Sequence, residues 1–223
     1  MKLNLGNSHT VRRRLDDLRY LPADVAKRAR SARERGLAAW AGYGLGQRLS
    51  SLGLALAVVV ALVVVVTGGG SGIGRCSAHE LASLGAHVVL IGRNLAKLQD
   101  TAAEIAVDAS GHVGHVSFHA CDIRNEEAVK STVAAIVIAH GRIDALVNNA
   151  GGQYITPLES ISAKGWDAVV ATNLTGGFLM ARECYLQAMQ RSGGAIVNIV
   201  ADMWGSMPGM GHSGAARAGM VSF

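Results

Sequence analysis

The stretch TGGGSGIG at residues 67–74 is where residue types and spacing first point to chemistry. Thr67, Gly68, Gly72 and Gly74 fit the pattern T-G-x-x-x-G-x-G, with Ser71 and Ile73 between the glycines. Glycines at these places let a backbone turn tightly and approach a pyrophosphate, whose charge then sits at the N-terminus of the next helix. A linker is equally rich in glycine, so this reading requires a strand before the turn and a helix after it. Two other sets invite a chemical reading and are better explained by structure. His112, His115, His119 and Cys121 have metal-like spacing, but they fall in a loop and strand that the fold accounts for, so no metal is expected. Cys76 opens a helix, where a thiol can be acidified, yet no partner base accompanies it and packing is expected.

The elements that must position the turn follow in a regular order. VVVV (63–66) feeds the turn, and GRCSAHELASLG reads as a helix closed by Gly85. HVVLIG is a buried strand, and NLAKLQDTAAEIA a helix capped by Asn94 with Leu95, Leu98, Ala102 and Ile105 on one face. HVSFHACD is a third strand, NEEAVKSTVAAIVIAHG a helix capped by Asn125, and RIDALVNNAG a fourth strand with its exit turn. One long helix is expected over residues 162–189, its aromatic and methionine residues packed in the core or a subunit interface, and GGAIVNIV is a fifth strand. Continuous Val/Ile/Leu strands alternating with helices imply a parallel sheet covered on both faces, an α/β doubly wound, Rossmann-type architecture.

ALAVVVALVVVV, just before the turn, also looks like the start of a membrane span. A span needs about 20 apolar residues. Once Val63–Val66 are given to the strand, only Leu49–Leu62 remain, interrupted by Ser50, Ser51 and Gly53, so the strand is expected and a membrane span is not. The net charge of +5 is concentrated at one end: residues 1–50 carry eleven Lys/Arg and four Asp/Glu, which leaves the remainder at −2. We expect residues 1–60 to be a basic extension with an apolar lead-in, disordered or partly helical, and residues 61–223 to form the folded domain. No aromatic residue lies within the basic runs RRRLDDLR and AKRARSARERG, so nucleic acid is not an expected partner. No small-residue cleavage site precedes the glycine turn, and a signal peptide is not expected. Three scattered cysteines imply no disulfide framework, which suits a reducing compartment such as the cytoplasm.

Residues 63–223 resemble the short-chain dehydrogenase/reductase superfamily, through TGGGSGIG, CDI, NNAG and TNLTGGF in that order. Within it, HSGAARAG, and NLTG preceding GGAIVNIV, are similar to peroxisomal trans-2-enoyl-CoA reductases and to bacterial citronellol/citronellal dehydrogenases. The resemblance implies a dinucleotide held by Thr67, Gly68, Ser71, Gly72, Ile73 and Gly74. It places Asp122 and Ile123 at the adenine, Asn149, Ala150 and Gly151 along the adenosine ribose, and Arg217 at ribose hydroxyls. An acidic residue would hold the ribose diol of NAD at the end of the second strand. Here Gly92 stands there with Arg93 beside it, and a guanidinium pairs with a 2′-phosphate, so NADP(H) is expected in preference to NAD(H). Asn173 matches the family's catalytic asparagine. A small-molecule substrate and, for complete members, a homodimer or homotetramer are also implied.

The chain departs from the family where the chemistry is done. The usual Ser–Tyr–Lys set becomes Val200 or Ala201, Ser213 and Arg217. Arginine holds its proton and cannot relay it, and serine is a weak acid. A tyrosine fifteen residues before the lysine serves the related dienoyl-CoA reductases, and that offset lands on Asp202. Tyr185 matches another assigned acid, but twelve residues from Asn173 it would lie about 18 Å away along one helix, so both cannot face one nicotinamide. The expected catalytic set is therefore Asn173, Asp202, Ser213 and Arg217. Oxidation of an alcohol needs a tuned base. Reduction of an enoyl thioester needs fixed donors for a developing oxyanion, and is expected first, with a terpenoid alcohol or aldehyde as the alternative and a non-catalytic cofactor-binding fragment as the third reading. The resemblance further implies two more strands, a Pro-Gly turn and a lid, which the 223 residues do not contain.

Overall fold

Val63–Thr67 form β1, the centre of a five-stranded parallel sheet, and all five residues are buried. The structure is a computed structural model that describes residues 62–108, 115–202 and 204–223. The expectations for residues 1–60 and for His112 lie outside these residues. After the glycine turn come α1 (Gly72–Ser83), β2 (His87–Gly92), α2 (Leu95–Asp108), β3 (Val116–Ala120), α3 (Glu126–His140) and β4 (Ala145–Asn148). The strand order is β3-β2-β1-β4 and then β5 (Ala195–Asn198). Chain direction away from β1 therefore reverses between β1 and β4, and in doubly wound sheets that switch point opens a ligand crevice at the carboxyl ends of the strands.

Alternate residues of the β-branched run serve two cores. Val65, Val89, Ile91 and Leu146 face one side with Ile136, whereas Val64, Val66, Val88 and Leu90 face the other with Ala78, Leu98 and Ile105. This two-sided burial is why the run reads as continuous rather than alternating. Val63–Val66 are thus strand, while the apolar run before them lies outside the described residues; among the described residues no helix is long and apolar enough to cross a membrane.

Local signals place most helix ends. Asn94 Oδ1 accepts from Lys97 N at 3.1 Å, and Asn125 Oδ1 accepts from Ala128 N at 3.0 Å. Gly85 and Gly141 end α1 and α3 with φ of 88° and 73°. Three expectations need correction. Leu95 is exposed, because the first residue of α2 lies outside the buried Leu98–Ala102–Ile105 row. Cys76 is exposed rather than packed, since α1 buries Gly74, Ala78 and Ala82, one every four residues, and Cys76 points elsewhere. β5 is not a buried strand: Ile196 and Val197 are 41% and 49% exposed, and among the described residues only β4 pairs with it.

The expected long helix over 162–189 is interrupted. It runs as α4 (Ala163–Val170), a π-helical turn (Ala171–Thr175), α5 (Gly176–Cys184), a second π turn (Tyr185–Met189) and α6 (Gln190–Ser192). Met180 and Met189 are buried there, while Phe178 and Tyr185 are exposed. The last element, α7 (Gly211–Ser222), buries His212, Ser213, Ala216, Arg217 and Met220.

Histidines gather where β2 and β3 begin, at the end of the sheet away from the crevice. The His87 ring lies 4.1 Å from that of His140 and 5.9 Å from that of His115, and Ser117 Oγ is 3.1 Å from His87 Nε2. Burial, and then the neighbouring His140 and His115, push His87 down from 6.5 to about 4. The unfolded chain therefore takes up the extra proton between pH 6.5 and 4, so this contribution to stability is complete above 6.5 and is lost as pH falls through that window. Thermal melts should show Tm falling from pH 6.5 towards 4, with a shallower fall in His87→Gln. Equal slopes in the two proteins would contradict this origin.

Candidate active site

The glycine turn is built by close approach. A Cβ on Gly74 would lie 2.5 Å from the Gly68 carbonyl oxygen and against Asn149 Nδ2. Gly68 and Gly72 have φ of 69° and 55°, a left-handed backbone that other residues resist. Thr67 stitches this turn to the exit of β4: its Oγ1 accepts from the backbone N–H groups of Asn149 and Ala150, both at 3.0 Å, and Asn149 Nδ2 donates to Thr67 O at 2.9 Å. Thr67 is 1% exposed. The expectation that it touches the dinucleotide is therefore corrected: its polar atoms are engaged within the protein, and it holds the loop that forms the wall. Ser71 and Ile73 are exposed at the start of α1, and the Ser71 side chain makes no cap hydrogen bond. Backbone N–H groups at this helix start, with glycines that leave the surface bare, form a cradle that fits a pyrophosphate.

Beside the cradle lies a cleft of about 790 Å3, lined by Gly68, Ser71, Arg93, Asp122, Ile123 and Gly151 among others. Three cations surround it: Arg93, Lys97 and Arg124. Arg124 is already engaged, with Nε 2.9 Å from Asp122 Oδ1 and Nη2 2.5 Å from Oδ2, and these hydrogen bonds first of all hold the Asp122 carboxyl below its ordinary range. Arg93 makes no ion pair among the described residues. The Ile123 side chain is 6% exposed and packs against Gly176.

The second half of the site forms where the β4 exit loop meets the first π turn and α7. Asn173 lies in that turn, where a widened helix commonly marks a functional position. Its Nδ2 donates to Gly152 O at 2.6 Å and Val169 O at 2.9 Å, and its Oδ1 accepts from Gly152 N at 3.2 Å. Ser213 and Arg217, four residues apart, share one face of α7. Arg217 Nη1 donates to Ile199 O at 2.7 Å, while its Nη2 lies against Gly151. Burial lowers the Arg217 pKa, and among the described residues no carboxylate pairs with it.

Ser213 is fully buried, and its hydroxyl donates to Gln153 Oε1 at 2.8 Å. Its expected role as the donor to a substrate is therefore corrected: the hydroxyl proton is committed to Gln153. Asp202 does not join the cluster either. Its exposed carboxylate accepts from the backbone N of Trp204 at 3.4 Å. Tyr185 lines a separate groove with Phe178, Arg182 and Phe223. Among the described residues no group of three His, Cys, Asp or Glu is placed for a metal ion. Two residues of the site went unnoticed in the sequence. Gln153 directly follows the N-N-A-G-G run, which was the available signal. His212, fully buried and edge-on to Tyr154 at 4.6 Å, offered none beyond standing next to Ser213.

The model of a family described as short chain dehydrogenase matches residues 62–223. A probable 2,4-dienoyl-CoA reductase of Bacillus subtilis (strain 168) is 38% identical over 154 residues, 68% of this chain and 59% of that protein. A solved citronellol catabolism dehydrogenase of Pseudomonas aeruginosa PAO1 is 62% identical, with a TM-score of 0.69 over 73% of this chain and 65% of its own. A metagenomic short-chain oxidoreductase solved in complex with NADP is 35% identical, with a TM-score of 0.67 over 73% of this chain and 72% of its own. The chain thus spans about three fifths of the first of these relatives.

Proposed function

The chain belongs to the short chain dehydrogenase family, and from that premise we propose that it is an NADPH-dependent reductase of the C=C bond of an enoyl thioester. One observation carries the choice of reaction: the positions of the proton-relaying tyrosine and lysine hold a buried serine committed to Gln153 and an arginine that keeps its proton. Alcohol oxidation calls for a base tuned near the working pH, and neither Ser213 nor Arg217 supplies one at these two positions. Reduction of an activated alkene calls for fixed dipoles at the carbonyl oxygen. The NADPH that these residues would hold would supply a hydride for C3 of the alkene, becoming NADP+, and solvent would supply the proton for C2.

The chain's own residues have separable tasks in this reading. The Gly68–Gly74 turn receives the pyrophosphate, the Arg217 guanidinium binds ribose hydroxyls, and Asn173 fixes the loop that carries Gly152 and Gln153. Residues 61–223 form the cofactor-binding unit. Arg93, cationic and without an ion-pair partner at the cleft, is the group that meets the 2′-phosphate. Losing a hydrogen bond to a charged group costs about 1.5–3 kcal/mol. Arg93→Ala should therefore weaken NADPH binding about 10- to 150-fold and leave NADH binding nearly unchanged. Equal affinities for the two cofactors in both proteins would refute the preference.

A second reading, oxidation of a terpenoid alcohol, is favoured by the 62% identity to the citronellol catabolism dehydrogenase. Parallel assays with NADPH plus crotonyl-CoA and with NADP+ plus citronellol separate the two. The proposal expects turnover in the first. Turnover in the second alone would overturn it and demand a base other than Ser213 or Arg217.

A further inference from the structure

We propose that Gln153 is the hydrogen-bond donor to the substrate's thioester carbonyl, and that Ser213 is the positioning residue that aims it. The inference rests on the enoyl-thioester reading and adds the group that polarises the substrate. Ser213 is fully buried, so no substrate atom reaches its hydroxyl. Gln153 is exposed and stands over it, bound through Oε1. A carboxamide has one acceptor oxygen and an NH2 with two donors. With the oxygen held by Ser213, the amide nitrogen is the part of Gln153 that remains to face a ligand, and it makes no hydrogen bond among the described residues.

The backbone that carries Gln153 is fastened on both sides. Gly152 exchanges two hydrogen bonds with the Asn173 side chain, at 3.2 and 2.6 Å. Tyr154 stacks edge-on against His212, and Thr156 N donates to Gly209 O at 2.8 Å. The loop is thereby clasped to the start of α7 and the turn before it at three places: Gln153 on Ser213, Tyr154 on His212 and Thr156 on Gly209. A donor that is held before the reaction begins has no reorganisation left to pay for when charge develops on the carbonyl oxygen, and this is the condition under which a neutral amide is most effective. Gln153 follows Gly151 by two residues, and Gly151 packs on Arg217 and Asn173, so the loop that carries the donor runs past the groups expected at the ribose and nicotinamide.

The test uses the full chain. NADPH-dependent reduction of crotonyl-CoA should fall about 100-fold in kcat for Gln153→Leu, with NADPH affinity unchanged. Ser213→Ala should lower kcat about 10-fold at constant KM, as expected when a donor is present but poorly aimed, and Ser213→Thr should restore most of it. A second readout does not depend on turnover: the carbonyl stretch of [1-13C]butyryl-CoA, bound together with NADP+, should shift to lower frequency in the unaltered chain and return to its free value in Gln153→Leu. If the unaltered chain reduces crotonyl-CoA and Gln153→Leu matches it in both kcat and carbonyl frequency, the assignment is overturned and the reductase reading stands. If the unaltered chain neither reduces crotonyl-CoA nor shifts the carbonyl band, both are overturned.

Discussion

Gly74→Ala should weaken binding of the proposed cofactor NADPH about 10- to 100-fold, equivalent to the roughly 1.4–2.8 kcal/mol of forcing an extra methyl into a closed turn. The added methyl would stand 2.5 Å from the Gly68 carbonyl oxygen and against Asn149 Nδ2. Neither neighbour is the free end of a flexible side chain. One is backbone, and the other is tied to Thr67 O at 2.9 Å. The turn must therefore open, and its backbone N–H groups are the ones proposed to meet the pyrophosphate. Gly72→Ala is the informative contrast: nothing lies within 4 Å of its added carbon, and the cost is confined to a backbone φ of 55°, about 1 kcal/mol. Fluorescence titration with NADPH separates the two, with thermal melts confirming that both variants fold. Near-native affinity in Gly74→Ala would contradict the cradle.

The second large effect belongs to Gly151. A Cβ there would lie 2.6 Å from Asn173 Oδ1 and upon the Arg217 guanidinium. Gly151→Ala must push apart two groups that the proposed reaction uses together, and a displacement of that size is worth about 100-fold in rate. The expected result is a kcat about 100-fold lower, with the fold kept because Gly151 itself is exposed. The neighbouring Gly152→Ala, whose added carbon meets nothing within 4 Å, should lose far less. Equal losses in the two variants would mean that crowding at Arg217 and Asn173 is not the cause.

The sheet was legible because its determinants are local and repeated. Val63–Val66 are β-branched, flanked by turn glycines and buried on both faces, and the caps Asn94 and Asn125 sit where their side chains find the helix N–H groups they were expected to meet. The site was legible only as a set of positions. Nothing in the sequence signals the π turn that carries Asn173, because π turns arise from one surplus residue accommodated by packing rather than from residue type. Thr67 belongs to the expected set, yet the β4 exit loop takes its hydroxyl. Ser213 is polar, which suggested a donor to substrate. Its partner Gln153 is sixty positions earlier in the chain, a distance over which no periodicity carries information. Exposure of β5 was hidden for a similar reason: Ala195–Asn198 has the composition of a central strand, while pairing is decided by what lies beside it.

The most direct measurement of the central claim follows the transferred hydrogen. Crotonyl-CoA is incubated with the full chain and NADPH carrying deuterium at both C4 positions, and the product is read by NMR; a parallel reaction uses unlabelled NADPH in D2O. The account predicts butyryl-CoA with one deuterium at C3 in the first reaction and one at C2 in the second, since hydride adds to C3 and solvent protonates the carbon next to the carbonyl. Deuterium from the cofactor at the carbonyl carbon, or no saturated product while citronellol is oxidised with NADP+, would contradict it.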